Sequence, residues 1–291
     1  MSFSQNVKKE LTTYWPKSRC CKIAEIYGLL LFCKRFDAHS ILFHTDLEDV
    51  ALRLMKLLSL LFSIHAEVLK KEGKTIVVTV PKEADRKALT GLFRKTGIDL
   101  SLLECGSCKQ SFVRGAFFSC GTVIDPSKEY DLEFKISDEQ LSWDFSLLLK
   151  EFSIDPKITE RTGSTIIYIK ESENIEDILT LMEAPNSSLE VMNVKILKTF
   201  RNKANRITNC ETANIGKTVN AAAQQLAAIT LLQETGHLEN LSPELKAVAN
   251  ARLENEDAPL SELAQMVGVS RSGINHRLQK LITIAEEIKA E

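Results

Sequence analysis

The sequence has no long apolar run and no apolar segment at its start. Its longest uninterrupted apolar run, residues 26–33, is far shorter than the roughly 20 residues that a transmembrane helix needs. Residues 1–10 contain no signal-peptide core, so we expect a cytoplasmic protein. The 291 residues are nevertheless 44% apolar, which excludes a disordered chain, and their number predicts about two domains.

Neither sign of charge is in clear excess. Lysine and arginine number 37 against 39 acidic residues, so the net charge is −2 and the chain as a whole has no basic field. Any binding of nucleic acid must therefore depend on local clusters of charge. The seven cysteines are odd in number and follow no secretion signal, which indicates reduced thiols.

The first two thirds of the chain contain an internal repeat. Residues 21–33 match residues 108–120, with a cysteine at each end and glycines at the equivalent positions Gly28 and Gly115. Two further pairs of blocks follow in the same order, 57–64 with 147–154 and 73–76 with 163–166. Three matches in one order indicate a duplication rather than chance similarity.

Each copy has the same predicted order of elements. An apolar helix precedes an extended segment, an amphipathic helix with apolar residues three or four apart, a hairpin and a last helix. The first helix, the extended segment and the last helix are predicted at 19–34, 40–45 and 83–95, and at 107–120, 130–136 and 173–183. We therefore expect an α+β domain over residues 1–185, with repeats at 19–100 and 107–185 related by a pseudo-two-fold axis.

Gly28 and Gly115 lie inside the apolar first helix of each copy. A helical glycine costs about 1 kcal/mol relative to alanine, so two equivalent ones favour a close helix contact over simple tolerance. We expect the two helices to pack against each other through these glycines, which would form the interface between the copies.

Duplicated apolar helices with these glycines resemble the LAGLIDADG homing-endonuclease fold. In that fold each helix supplies a metal-binding acid near its C-terminal end, and the matching positions here are Cys33 and Cys120. Because Mg²⁺ prefers oxygen ligands, the resemblance implies this scaffold without its catalytic acids and without a metal. A metal-dependent endonuclease that uses other acids, such as Glu25 or Asp125, stays open as the alternative.

A turn-rich stretch at 183–188 predicts the end of the first domain, and 186–214 then forms a basic linker. Residues 195–209 contain five basic side chains, several asparagines and no acid. Basic side chains bind phosphates and amides contact base edges, so this segment is a candidate DNA contact, with a solvated linker as the alternative. The candidate residues are Lys198, Arg201, Lys203, Asn205, Arg206 and Asn209.

Residues 215–291 form a predicted all-α domain that ends in a helix-turn-helix. A short helix at 259–267 is followed by a turn at Gly268, and Ser270 is placed to cap a second helix. The second helix has apolar residues on one side and an acid-free polar side, which suits the DNA major groove; a helical bundle with a polar surface is the alternative. The polar residues are Ser270, Arg271, Ser272, Asn275, His276, Arg277 and Lys280.

Stretches along the whole chain resemble the WhiA family of Gram-positive bacteria. The matching stretches are 1–11, 114–126, 201–214, 252–255 and 270–278. The resemblance implies a duplicated LAGLIDADG-like domain followed by a helix-turn-helix domain. It also implies a transcription regulator that binds promoter DNA in the nucleoid, has no nuclease activity and is linked to sporulation, cell division or chromosome segregation. Whether the N-terminal domain contacts DNA, a partner regulator or a small ligand stays open.

Four cysteines precede the equivalent first helices of the two copies: Cys20, Cys21, Cys105 and Cys108. Their sulfurs could converge on zinc if those helices pack side by side. Cysteine is also a common small buried residue, and we expect no cofactor. Thiol catalysis is not favoured, because no histidine partner can be identified.

Overall fold

The computed structural model describes residues 1–94 and 96–290, and at residues 71 and 72 it describes the backbone alone. The chain divides into two compact units, Met1–Thr199 and Phe200–Glu291. Within the described ranges, no helix has both the length and the apolar character that crossing a membrane requires.

The first unit begins with a short helix and then repeats one α+β arrangement. The initial helix and first copy are α1 (Phe3–Thr13), α2 (Arg19–Leu31), β1 (Arg35–Phe36), β2 (Ile41–Thr45), α3 (Glu48–Phe62), β3 (Glu67–Glu72), β4 (Thr75–Thr79) and α4 (Glu83–Leu92). The second copy, after a 3₁₀ turn at Leu100–Leu102, is α5 (Gly106–Cys120), β5 (Gly121–Val123), β6 (Leu132–Ile136), α6 (Glu139–Lys150), β7 (Lys157–Arg161), β8 (Ser164–Ile169) and α7 (Ser172–Leu181).

The two copies form separate four-stranded sheets with the same strand order. The orders are β1-β2-β4-β3 and β5-β6-β8-β7, and all neighbouring strands are antiparallel. In β2 the residues Ile41, Phe43 and Thr45 are buried, and in β6 the first, third and fifth residues are likewise buried. Alternate burial places one face of each sheet against the helices. The predicted duplicated α+β fold is therefore confirmed.

Most predicted elements are present, with differences at their ends. The predicted first helix at 19–34 ends at Leu31, because the chain turns into β1, where Arg35 pairs with Leu42. The last helix of the first copy, predicted at 83–95, is observed at Glu83–Leu92; the predicted last residue, 95, lies outside the described residues.

Helix α1 is an element that the sequence analysis missed. The Ser2 hydroxyl accepts a hydrogen bond from the Gln5 backbone N–H, and the Gln5 side chain accepts one from the Ser2 backbone N–H. This reciprocal pair is a capping box, and Phe3, Val7 and Leu11 are buried at a spacing of four. The Ser-x-x-Gln pattern followed by this spacing was the available signal.

Helices α2 and α5 cross at Gly28 and Gly115. A Cβ atom on Gly28 would lie 2.2 Å from the carbonyl oxygen of Phe112, and one on Gly115 would lie 2.2 Å from the carbonyl oxygen of Glu25. The equal distances reflect the symmetry of the two copies. Because the obstructing atoms are backbone atoms, a side chain at either position would force the helices apart.

The turn predicted at 183–188 is shorter in the structure. Glu183 adopts a left-handed conformation with a φ of 72°, and a new helix begins at Pro185. Proline suits a first helical turn, where its missing N–H has no intrahelical partner to lose.

The new helix, α8 (Pro185–Glu234), includes the whole segment 186–214 that was expected to be a linker. Its beginning packs on the first unit, which therefore extends beyond residue 185 to Thr199. Val191 is buried there, and the Lys195 ammonium lies 2.6 Å from the Glu173 carboxylate.

The second unit is entirely helical. It contains the rest of α8, a 3₁₀ turn at His237–Asn240, α9 (Pro243–Glu254), α10 (Leu260–Val267) and α11 (Arg271–Ala290). Its core includes Ile229, Leu232, Val248, Leu263, Ile274, Leu278 and Leu281. The buried Arg252 guanidinium donates hydrogen bonds to the carbonyl oxygens of Glu256 and Ala258, at 3.2 and 2.7 Å, and so holds the loop before α10.

Replacing Gly115 by alanine tests the close crossing of α2 and α5. The Cβ atom would overlap the Glu25 carbonyl, so we expect Gly115→Ala to lower the free energy of unfolding by about 1–3 kcal/mol or more, the usual cost of overpacking. Gly91→Ala in α4 is the matched control, because nothing lies within 4 Å of its Cβ position. Urea unfolding followed by circular dichroism measures both. Equal stability of the two variants would contradict the crossing.

Candidate nucleic-acid interface

The last two helices of the second unit form a helix-turn-helix with a well-defined turn. Gly268 adopts a left-handed φ of 71°, and the Val269 N–H donates back to the Ala264 carbonyl at 2.9 Å, as in a Schellman motif. The Ser270 hydroxyl accepts a hydrogen bond from the Gly273 N–H at 3.0 Å and so caps α11. The turn therefore fixes where α11 begins and which side faces outward.

The outward side of α11 carries the polar residues that were proposed to meet DNA. Inward positions such as Ile274 and Leu278 are fully buried, which fixes the helix rotation. The exposed residues on the polar side are Ser270, Arg271, Ser272, Asn275, His276 and Lys280. No acid occurs between residues 270 and 280, so α11 itself presents no carboxylate that would repel a phosphate along these turns.

Arg277 differs from the other predicted residues of α11. Its guanidinium donates a hydrogen bond to the Glu244 carboxylate in α9 at 2.9 Å, and only 26% of its side chain is exposed. The ion pair ties α11 to α9 and offsets the charge that Arg277 would present to a phosphate.

A groove of about 210 Å³ in the second unit adds a basic residue that the sequence analysis missed. Lys217 and Thr218 of α8 line it together with Arg271, the first residue of α11. Lys217 is exposed, so it adds positive charge beside the N-terminal end of α11. Its sequence surroundings are mostly neutral, and only the packing of α8 brings it to this position.

The predicted basic residues of α8 have two different environments. Lys198 lies in the first unit, where its ammonium donates to the Pro126 carbonyl at 2.6 Å and lies 4.5 Å from the Tyr130 ring centroid. The remaining candidates are all exposed: Arg201, Lys203, Asn205, Arg206 and Asn209. Because an α-helix rises 1.5 Å per residue, Arg201 lies roughly 24 Å along α8 from Lys217. Arg201 and Lys217 therefore lie several helical turns apart on α8.

The positions of the missing acids, Cys33 and Cys120, line a cleft of about 570 Å³ beside the C-terminal ends of α2 and α5. The cleft is also lined by Lys8, Lys34, His44 and Lys135. Among the described residues that line it, the one acid is Asp138, whose carboxylate accepts the Leu141 N–H at 2.9 Å as the cap of α6.

The electrostatics of this cleft differ from those of a divalent-metal site. Desolvation raises the pKa of the Cys120 thiol to about 12, so the thiol stays protonated and uncharged at neutral pH. Desolvation also lowers the pKa of Lys8, whose ammonium donates to the Phe118 carbonyl at 3.3 Å. Thiols and ammonium groups do not supply the oxygen ligands that Mg²⁺ requires.

The two alternative acids are engaged elsewhere. Glu25 is fully buried in an ion triad: its carboxylate accepts hydrogen bonds from both Nε and Nη2 of Arg53 and, at 2.9 Å, from Nε of Arg114. Asp125 accepts hydrogen bonds from the hydroxyl and the N–H of Ser127, and the hydroxyl in particular lowers the pKa of Asp125. Glu25 thus joins the two copies, since Arg53 lies in the first and Arg114 in the second.

The chain is similar to known proteins over its full length. Residues 109–201 match the model of the WhiA LAGLIDADG-like domain, and residues 204–285 match that of the WhiA C-terminal HTH domain. A probable cell division protein WhiA from Alkaliphilus oremlandii is 36% identical over 99% of this chain and 98% of its own length. The same named protein from Clostridium botulinum strain Hall is 35% identical, over 99% of both chains.

Two solved structures show the same architecture. The crystal structure of a full-length WhiA from Thermatoga maritima covers 99% of both chains with a TM-score of 0.63 and 27% identity. The N-terminal LAGLIDADG domain of a WhiA covers 62% of this chain and 92% of its own length, with a TM-score of 0.50 and 25% identity.

Neutralising Glu25 separates a structural role for this carboxylate from a metal-binding one. In Glu25→Gln the buried guanidinium groups of Arg53 and Arg114 lose their counter-charge, so we expect unfolding to require about 3–5 kcal/mol less free energy. Glu83→Gln is the control, because the pair of Glu83 with Lys87 is solvent-exposed and should leave stability unchanged. Thermal and urea unfolding provide the measurement. A stable Glu25→Gln protein would show that the triad is not needed for folding.

Proposed function

Because the chain belongs to the WhiA family, we propose that it is a DNA-binding transcription regulator linked to cell division, and that it reads specific promoter sequences without cutting them. The observation that carries this proposal is the acid-free polar side of α11, held outward by the capped turn. We also propose that it takes part in regulating sporulation and chromosome segregation, and that it associates with the nucleoid.

The proposed mechanism uses binding alone. The N-terminal turns of α11 enter the major groove, where Arg271 and Asn275 can each make two hydrogen bonds to one base. Arginine suits guanine and asparagine suits adenine, because the donors and acceptors of each pair match. Lys280 lies further along the helix and suits a phosphate, whereas Arg277 is partly neutralised by Glu244.

The exposed basic residues of α8 supply a second, sequence-independent contribution. Arg201, Lys203 and Arg206 lie on a helix segment with no acid between residues 195 and 209, so their positive charge is not cancelled locally. Contacts to phosphates release counterions, which gives affinity and a salt dependence but no direct discrimination between bases. This local charge accounts for DNA binding by a chain whose net charge is −2.

The chemistry of the cleft supports a regulator rather than a nuclease. The positions that match the catalytic acids of the LAGLIDADG fold carry thiols, and lysines surround them. Glu25, the acid that α2 carries, is buried and accepts hydrogen bonds from two buried arginines. We propose that the first unit serves as a scaffold that contacts DNA or a partner regulator.

Single substitutions should separate base reading from phosphate binding. Arg271→Ala and Asn275→Ala should each cost about 1–3 kcal/mol on the selected site and much less on random DNA, since each loses a base contact. Lys203→Ala should weaken binding to both DNAs alike. It should also reduce the slope of log affinity against log salt concentration by about one, the value for one phosphate contact. The site is first selected from a random library, and fluorescence anisotropy then measures affinity at several salt concentrations.

Thr283→Ala is the control for these variants, because Thr283 is exposed on α11 beyond its predicted base-reading turns. We expect it to bind both DNAs like the unaltered protein. Equal losses on selected and random DNA for Arg271→Ala, Asn275→Ala and Lys203→Ala would refute the division of roles between α11 and α8.

A plasmid assay tests the absence of nuclease activity. Supercoiled DNA that carries the selected site should remain uncut with Mg²⁺ or Mn²⁺, because the described residues that line the cleft include no pair of carboxylates to hold the metal. The matched control contains EDTA in place of the metal. Nicking above that control, lost in Asp138→Asn, would instead identify an endonuclease that uses the one acid of the cleft.

A further inference from the structure

Four cysteine sulfurs meet at the N-terminal ends of α2 and α5. The Sγ atoms of Cys20, Cys21, Cys105 and Cys108 all lie within 4.8 Å of one another. The sulfur of Cys105 lies 3.7 Å from that of Cys20 and 3.4 Å from those of Cys21 and Cys108, and the Cys21 and Cys108 sulfurs are 3.9 Å apart. All four cysteines are free thiols.

These distances match the geometry of a tetrahedral metal centre. Zinc–sulfur bonds of about 2.3 Å in a tetrahedron require sulfur–sulfur distances of about 3.8 Å. The observed separations are close to that value and far longer than a disulfide bond of about 2.05 Å. The two remaining separations, from Cys20 to Cys21 and from Cys20 to Cys108, are at most 4.8 Å, so a movement of about 1 Å at Cys20 would complete the tetrahedron.

From this geometry we propose that the four thiolates bind one Zn²⁺ ion, which joins the two copies of the first unit. Cys20 and Cys21 belong to the first copy, and Cys105 and Cys108 to the second. Cys21 and Cys108 are buried equivalents under the pseudo-two-fold relation. The outer ligands break the symmetry, because Cys20 is the second residue of α2 whereas Cys105 is the N-cap of α5.

Positive charge lies beside the cluster. The N-terminal ends of α2 and α5 both point toward it, and the partial positive charge of a helix N-terminus stabilises an anion. Lys17 lines the same cleft as Cys21 and Cys105 and adds a full positive charge.

The kind of ligand selects the kind of metal. Four sulfur ligands in a tetrahedron favour zinc or iron–sulfur chemistry, and a structural zinc site uses all four positions for protein ligands. Two ligands from each copy close this site completely, which suits a structural ion rather than a catalytic one. The ion would hold α2 and α5 together at their N-terminal ends, whereas the crossing at Gly28 and Gly115 holds them together near the middle of the helices.

Metal analysis of the full chain tests the proposal. Protein from cells grown with zinc, and purified without chelator, should contain about one zinc ion per chain by mass spectrometry. Cys105→Ser and Cys108→Ser should each lose most of it. Cys105 is exposed, so its variant remains informative if the buried Cys108 proves necessary for folding. Cys120→Ser and Cys210→Ser are the matched controls outside the cluster and should keep their zinc.

Cobalt and heat provide two further readouts that involve no DNA and so do not depend on the proposed function. Chelated protein reloaded with Co²⁺ should show thiolate-to-metal charge-transfer and tetrahedral d–d bands that Cys105→Ser lacks. Removing the metal should lower the melting temperature of the unaltered protein and leave that of Cys105→Ser unchanged, because the ion binds the folded state. A metal-free protein with four titratable thiols, disulfides among the four, or bound iron would overturn the proposal.

Discussion

The close crossing of α2 and α5 is the constraint on which the first unit depends. The backbones of these helices are so close that a Cβ atom at the crossing would overlap a carbonyl oxygen of the other helix. Both helices therefore need glycine there, and they carry Gly28 and Gly115. The approach places Glu25 of one copy within hydrogen-bond distance of Arg114 of the other. A buried carboxylate between two arginines is tolerable only when that distance is kept, so the crossing and the ion triad require each other.

The crossing also creates two ends of the helix pair with different chemistry. At the N-terminal end, four thiol sulfurs lie within 4.8 Å of one another, where we propose a zinc ion. At the C-terminal end, Cys33 and Cys120 lie in a cleft with lysines, where the resembling endonuclease fold has its acids. Both ends carry cysteine, but only the first has the number and spacing of ligands that a metal ion needs. In the proposed arrangement the scaffold would hold a structural metal at one end and thiols in place of metal-binding acids at the other.

DNA recognition depends on a separate set of constraints in the second unit. The turn at Gly268 and the cap at Ser270 fix the rotation of α11, so burial of Ile274 and Leu278 necessarily exposes Arg271 and Asn275. In the proposed mode of binding, the polar side of α11 would give specificity although the whole chain is slightly acidic. The exposed turns of α8 contribute charge at a distance from α11, which suits affinity rather than base reading.

The sequence alone determined the features that depend on local spacing. The duplication, the equivalent glycines and the helix-turn-helix follow from periodicity, and the capping box of α1 could have been found in the same way. Only the tertiary structure decided which distant side chains meet: Glu25 with Arg53 and Arg114, Arg277 with Glu244, and the four thiols with one another. Such contacts depend on the relative placement of whole helices, and residue spacing along one chain does not specify that placement.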